Sequence, residues 1–243
     1  MLVVDAGNTS VKFAIVARSG ARPKPLQSVP TAALATAMAK RIGTKAKSVA
    51  VSSVVPAASR VLRNVFPRAH FVGPRTALNF KTMADRKTIG SDRLANVAAA
   101  QARYQKNVLV ASFGTATTFD IIDAEGVHRG GAIAPGWRAF ADLSSSKTAL
   151  LPRVAASAAK TFIGKNTRGA LAAGTAGGYA AMARHIIDAM RHEAGVKKLR
   201  VVITGGEAKI VAKMARLKSV SDPLLTLRGI ALLCAGNARE VRK

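Results

Sequence analysis

No segment narrows the possible folds of this chain as far as its opening one. There an apolar run, Leu2-Val3-Val4, enters Asp5-Ala6-Gly7-Asn8-Thr9-Ser10 and leaves through Val11-Lys12 into a second strand-like run. Apolar runs joined by so short a Gly-Asn turn predict a β-hairpin over residues 2–16. Gly7 is open to backbone angles closed to other residues, and N–H groups around such a tip receive phosphate oxygens. Asp5 supplies a carboxylate for a magnesium ion. A plain hairpin with no ligand uses the same residue types, so by itself this segment leaves both readings open.

Three later segments repeat the design. Ser112-Phe113-Gly114-Thr115-Ala116-Thr117-Thr118-Phe119-Asp120 follows the apolar run 108–111, placing small and hydroxylated residues where a strand turns and implying a second phosphate loop. Gly130-Gly131-Ala132-Ile133-Ala134-Pro135-Gly136 is expected to close the next strand. Val201-Val202-Ile203-Thr204-Gly205-Gly206 ends on a Gly-Gly turn bare enough for a flat ring or a sugar to approach. The chain has no Gly-x-x-x-x-Gly-Lys-Ser/Thr, and no Gly-x-Gly-x-x-Gly follows a strand, which disfavours P-loop and dinucleotide folds.

In this order the segments resemble the nucleotide-binding elements of the actin, sugar kinase and Hsp70 superfamily. Asp5-Ala-Gly-Asn-Thr9, Gly90-Ser91-Asp92-Arg93, Gly114-Thr115-Ala116, Gly130 to Gly136 and Gly164-Lys165-Asn166-Thr167 together resemble type III pantothenate kinase, over about residues 1–206. The resemblance implies an α/β chain of two ribonuclease H-like domains with ATP in the interdomain cleft. It also implies a homodimer, ATP-dependent phosphorylation of pantothenate to 4′-phosphopantothenate, Mg2+ with ATP, and a monovalent cation, K+ or NH4+.

Carried over residue by residue, the family's ATP-binding segment falls on Asp5, Ala6, Gly7, Asn8, Thr9, Ser10, Val11 and Lys12, with a further contact at Thr115 and Mg2+ near Asp5. Its pantothenate-binding segment falls on Gly90, Ser91, Asp92 and Arg93, with another contact at Thr167. Its catalytic base corresponds to Asp92, which accepts the proton of the substrate's primary hydroxyl as that oxygen attacks the γ-phosphorus. Phosphoryl transfer asks little covalent chemistry of a protein, so alignment and charge neutralisation carry most of the catalysis. Ser91 or Asp92 also suits the cap of a helix over 94–104, and a capped N-terminus presents N–H groups to an anion. Arg93 is a candidate bidentate partner for that anion.

Two positions depart from the family pattern. Ser112 stands where the family carries an aspartate that ligates the monovalent cation, and a neutral hydroxyl is the weaker ligand. Met83 stands where a substrate-contacting tyrosine is usual.

The charge is unusual for a small-molecule kinase: 38 Lys and Arg against 12 Asp and Glu, a net +26. Such a surface attracts polyanions and predicts salt-dependent, non-specific nucleic acid binding, unless the charge is simply spread over solvated faces. With only eight aspartates, the three inside motifs, Asp5, Asp92 and Asp120, gain weight as candidates for chemistry. A catalytically impaired kinase-like regulator or nucleic-acid-associated protein is the competing class, and a kinase of another small hydroxylated acid is a third.

With 243 residues the chain accommodates two cores, divided here at 1–106 and 107–243. The first half reads as the hairpin, a polar link with Pro23, Pro25 and Pro30, a helix over 31–40, and strands at 48–51 and 69–72 flanking a helix capped around Pro56 to Ser59. Strands at 108–111 and 117–122, and one ending at Gly131, open the second. The Gly/Ala-rich stretch 169–183, with Gly174-x-x-x-Gly178, suits close helix packing, either across a dimer or within the chain. Cys234, the single cysteine, lies in an apolar run and reads as a buried thiol. It fits a reducing, cytoplasmic setting, and neither secretion nor a membrane span is expected. His185 and His192 read as surface residues, and His70 and His128 have no evident partner.

Overall fold

The computed structural model describes residues 1–18, 20–43, 46–146 and 161–240. The chain divides into two compact units, Met1–Gln105 together with Leu224 onward, and Lys106–Pro223.

In the first unit β1 (Leu2–Ala6) and β2 (Ser10–Ile15) pair antiparallel as the expected hairpin, closed where the Gly7 N–H donates to Ser10 O at 3.1 Å. β3 (Lys24–Pro30) pairs with β2 where a polar link was expected. It is an edge strand, the one place in a sheet where Pro25 and Pro30 are tolerated without an N–H to donate. The helix expected over 31–40 is instead a short 3-10 turn, Thr31–Ala33, followed by α1 (Thr36–Gly43). Thr31 is held to the hairpin tip, its N–H on Thr9 O at 3.1 Å and its Oγ1 on Gly7 O at 2.6 Å, and Leu34 turns extended before the helix begins. β4 (Val49–Ser53) lies parallel to β1, α2 (Pro56–Val65) starts on a proline whose missing N–H costs nothing there, and β5 (His70–Phe71) and α3 (Ser91–Tyr104) follow. The sheet order is β3-β2-β1-β4-β5.

The second unit repeats that plan. β6 (Val108–Phe113), β7 (Ala116–Ile122) and β8 (His128–Pro135) form an antiparallel meander, and β9 (Arg200–Thr204) and β10 (Val220–Ser221) add parallel strands, in the order β10-β9-β6-β7-β8. Each sheet is thus three antiparallel strands followed by two parallel ones, the ribonuclease H-like arrangement. β8 does not stop at Gly131, as expected from its glycines, but runs on to Pro135, because Ala116 to Asp120 of β7 keep it in register. Among the described residues its helices are α4 (Trp137–Ser146), α5 (Thr167–Ala172), α6 (Gly178–Glu193), joined to α5 by a π-helical turn at Ala173–Gly177, and α7 (Ala208–Met214).

α8 (Leu225–Glu240) belongs with the first unit, not with the second as the division at 107 would have it. Its contact with α3 explains why. Thr226 Oγ1 donates to Asn96 Oδ1 at 2.8 Å, and Gly229 lies against the Ala95 backbone so closely that a Cβ would overlap the carbonyl. Leu227, Ile230, Ala231 and Leu233 join Leu94, Ala95 and Ala98 in one core with Val3, Ala14 and Ala50. Cys234 is buried at this core's edge, and desolvation pushes its thiol up to about 12, well away from nucleophile chemistry.

Candidate active site

Strand alternation decides which residues of the opening hairpin face chemistry. Leu2, Val4 and Ala6, with Val11, Phe13 and Val51, point into the core that holds Ala58 and Leu62 of α2. Val3 and Asp5 therefore point to the opposite face, the one covered by α3 and α8. Across that face Lys12 stands opposite Asp5 in β2, and Ser52 lies beside it in β4. Of the implied ATP segment, Ala6 and Val11 are core residues that offer only backbone, while Asn8 and Thr9 are exposed at the tip. Gly7 does not adopt a positive φ, contrary to expectation, and a Cβ there would meet only Ser10 O at 3.6 Å. The turn needs no left-handed residue, so Gly7 contributes bare backbone rather than special geometry.

α3 is anchored beside this row. Ser91 Oγ lies 2.9 Å from Ser52 Oγ in a buried contact and donates to Ser53 O at 3.4 Å. Neither Ser91 nor Asp92 caps the helix. Gly90 occupies the cap position without a side-chain bond, and Asp92 Oδ1 accepts the neighbouring Arg93 N–H at 2.9 Å. A Cβ on Gly90 would stand 2.5 Å from Asp92 Oδ1, so the glycine leaves room for that carboxylate. Asp92 and Arg93 are half-buried, and Met83 is 63% exposed.

The electrostatics of Asp5 follow from this packing. Burial pushes its carboxyl up from 3.8 to about 6, Lys12 opposes the shift, and the negative charge of Asp92 adds to it. Below 3.8 the group is protonated folded or unfolded. Between 3.8 and about 6 the folded chain holds a proton that the unfolded chain has released, so this group's contribution to stability falls as pH rises and is lost above about 6. Asp5→Asn, which mimics the protonated form, is expected to melt at a higher temperature than the parent chain near pH 8 and at the same temperature below the unfolded value. Thermal melts at the two pH values check this, and a variant no more stable near pH 8 counts against it. A carboxylate held close to another carboxylate gains most from a cation, so Asp5 fits the role of magnesium ligand.

In the second unit the structure brings three of the sequence motifs to one end of the sheet. The β6–β7 turn carries Gly114 and exposed Thr115; the Gly136 N–H donates to Thr115 O at 3.0 Å, and a Cβ on Gly136 would overlap the Gly114 and Thr115 carbonyls. Gly205, at φ +95°, lies on the Phe113 backbone where any side chain would collide, while Gly206 faces open space. Glu207 was not singled out by sequence, yet it belongs here. Its N–H donates to Phe113 O at 3.0 Å and its carboxylate accepts from Arg138 Nε at 2.9 Å, while burial pushes its carboxyl up against the opposing pull of Arg138. Beneath the turn Tyr179 is fully buried, its hydroxyl 2.6 Å from Thr117 Oγ1 and its ring packed edge-on to Trp137.

Ser112 sits opposite Thr118 in β7 and beside Thr204 in β9, so its row holds three neutral hydroxyls and no carboxylate. That row does not fit a carboxylate-ligated monovalent cation. Asp120, a motif aspartate, is buried mid-strand against His128, Nε2 to Oδ1 at 2.9 Å. His128 thus has a partner that spacing did not reveal. Thr167 is exposed at the start of α5, which Asn166 caps by accepting the Gly169 N–H at 2.8 Å. Among the described residues, no group of three or more His, Cys, Asp or Glu is placed to hold a metal ion.

The family model for type III pantothenate kinase matches residues 1–189. The chain belongs to the type III pantothenate kinase family. The type III pantothenate kinase of Listeria monocytogenes serovar 1/2a is 36% identical over 204 residues, 81% of this chain and 78% of that one. That of Methylacidiphilum infernorum is 33% identical over 238 residues, 96% of this chain and 87% of its own. The fold is shared more widely. The activator of the 2-hydroxyisocaproyl-CoA dehydratase from Clostridium difficile, solved with bound ADPNP, superimposes with a TM-score of 0.58 over 100% of this chain and 97% of that chain, at 12% identity. Two mixed sheets with helices of this kind are the fold of the actin, sugar kinase and Hsp70 superfamily.

Proposed function

We infer that this type III pantothenate kinase transfers the γ-phosphoryl group of ATP to the primary hydroxyl of pantothenate, the first step of coenzyme A synthesis, with Asp92 as the base. The observation that carries the assignment of Asp92 is its pairing with Asp5: two carboxylates near enough for one to raise the other, beside Lys12 and at the first turn of α3. Asp92 is half-buried and open to a hydroxyl, and it takes the proton as the oxygen nucleophile forms. Arg93 and the positive end of the α3 dipole seat the substrate carboxylate, and Thr167 supplies a further contact. The hairpin tip 7–10, Lys12 and the Thr115 turn receive the phosphates of ATP. Asp5 holds Mg2+, which neutralises phosphate charge when bound.

Potassium or ammonium is given no step, because the Ser112 row lacks the carboxylate. The homodimer is supported by Gly174 and Gly178: among the described residues nothing stands within 4 Å of where a Cβ would lie on either, so this face is open to a second copy. A cytoplasmic setting fits the lone buried Cys234. Among the described residues no helix is long and apolar enough to cross a membrane. The net charge of +26, with Ser112 and Met83, favours as second reading a kinase-like protein that has lost turnover and associates with nucleic acid. The deciding test is ATP-to-ADP turnover by nucleic-acid-free protein, with and without pantothenate, in potassium and in potassium-free buffer. Pantothenate-dependent turnover in both buffers is expected. ATP binding without turnover in either would move the assignment to the second reading.

A further inference from the structure

The second sheet has two ends, and only one of them carries the phosphate turns. At the other, where the parallel strands begin, Lys106, Lys198, Arg200 and Lys218 line a cavity of about 500 Å3 together with Asn107 and Ser219. β6 and β9 start side by side there, Val108 opposite Arg200, and β10 joins at Val220 beside Val202. Asn107 is fixed at the floor in a left-handed conformation, φ +55°, its N–H on Asp123 O at 2.9 Å and its carbonyl accepting the Arg200 N–H at 2.8 Å. One strand length, roughly 20 Å at 3.3 Å per residue, separates this cavity from the Thr115 and Gly205 turns.

We propose that this cavity is a second anion site, which takes a compact oligophosphate, inorganic or as part of a nucleotide. Among the described residues the lining holds three lysines beside Arg200 and no acid, a local excess of positive charge that attracts a multiply charged anion. The three lysines are exposed and able to converge on a ligand, and Asn107 and Ser219 add neutral hydrogen-bonding groups. It is an open surface depression whose extent suits a short phosphate chain. A nucleic acid would need a continuous basic track, whereas this cluster is concave and bounded by apolar Leu199, Val201 and Val220.

The test follows the backbone amides of Asn107, Leu199, Val201 and Ser219 by NMR in the whole chain, titrated with inorganic tripolyphosphate at an ionic strength of about 0.15 M. Saturable shifts at these amides are expected. Lys198→Glu combined with Lys218→Glu should weaken them about a hundredfold, at roughly a factor of ten for each charged partner removed, while ATP turnover with pantothenate is unchanged. Adding ATP separates the two sources: shifts at the same amides assign a nucleotide, and shifts with tripolyphosphate alone assign the inorganic chain. Shifts that never saturate, that survive the double substitution, or that arise only with a single-stranded oligonucleotide would overturn the proposal, the last in favour of nucleic acid.

Discussion

Asp92→Asn is expected to lower pantothenate-dependent turnover by roughly two to four powers of ten with the fold unchanged. The amide keeps the shape of the carboxylate, and its oxygen still accepts the Arg93 N–H, so α3 retains its start. What it loses is the ability to take a proton. It also loses the negative charge that helps hold the Asp5 carboxyl at about 6, so in the variant that carboxyl should titrate lower and magnesium–ATP should bind at least as tightly as before. Turnover and ATP affinity measured together separate this outcome from misfolding, which would weaken both. Turnover equal to that of the parent chain would remove Asp92 from the role of base.

Gly229→Ala should be the costliest of the conservative substitutions in the first unit. A single methyl at this position overlaps the Ala95 carbonyl, a backbone atom in the middle of α3 that has no rotamer to yield. α8 has to lift, and Leu227, Ile230 and Leu233 lose packing against Leu94 and Ala98. Overpacking of this kind costs about 3 kcal/mol, or about 6–12 °C in melting temperature for a chain of this size. Thermal unfolding followed by circular dichroism measures it, and an unchanged melting temperature would show that α8 is not held where Gly229 meets Ala95. Because α3 carries Asp92 at its first turn, the same variant should also lose turnover below its melting point.

The elements legible in sequence are those set by a few neighbouring residues. The β1–β2 hairpin, the β6–β7 turn at Gly114 and a helix beginning within Pro56 to Ser59 follow from apolar runs and turn chemistry, and the structure has them, α2 starting at Pro56. The misplaced elements depended on partners distant in sequence. Pro25 and Pro30 read as linker residues until β2 offered them an edge to pair with. Gly130 and Gly131 read as the end of a strand until β7 held them in register. Asp120 stands out in sequence because it lies in a motif, but its pairing with His128 on the adjoining strand is visible only in the structure. Glu207 gave no signal at all, since its place depends on Phe113 and Arg138.

Local order in the chain was enough to define the fold class, the family and the residues that family membership points to, because strand period, turn composition and short motifs are written in consecutive positions. The tertiary structure alone decided that α8 closes the first unit, that Asp5 comes within electrostatic reach of Asp92, and that four cations gather at the far end of the second sheet. Each of these depends on register and packing between segments far apart in the chain, and no run of neighbouring residues encodes that.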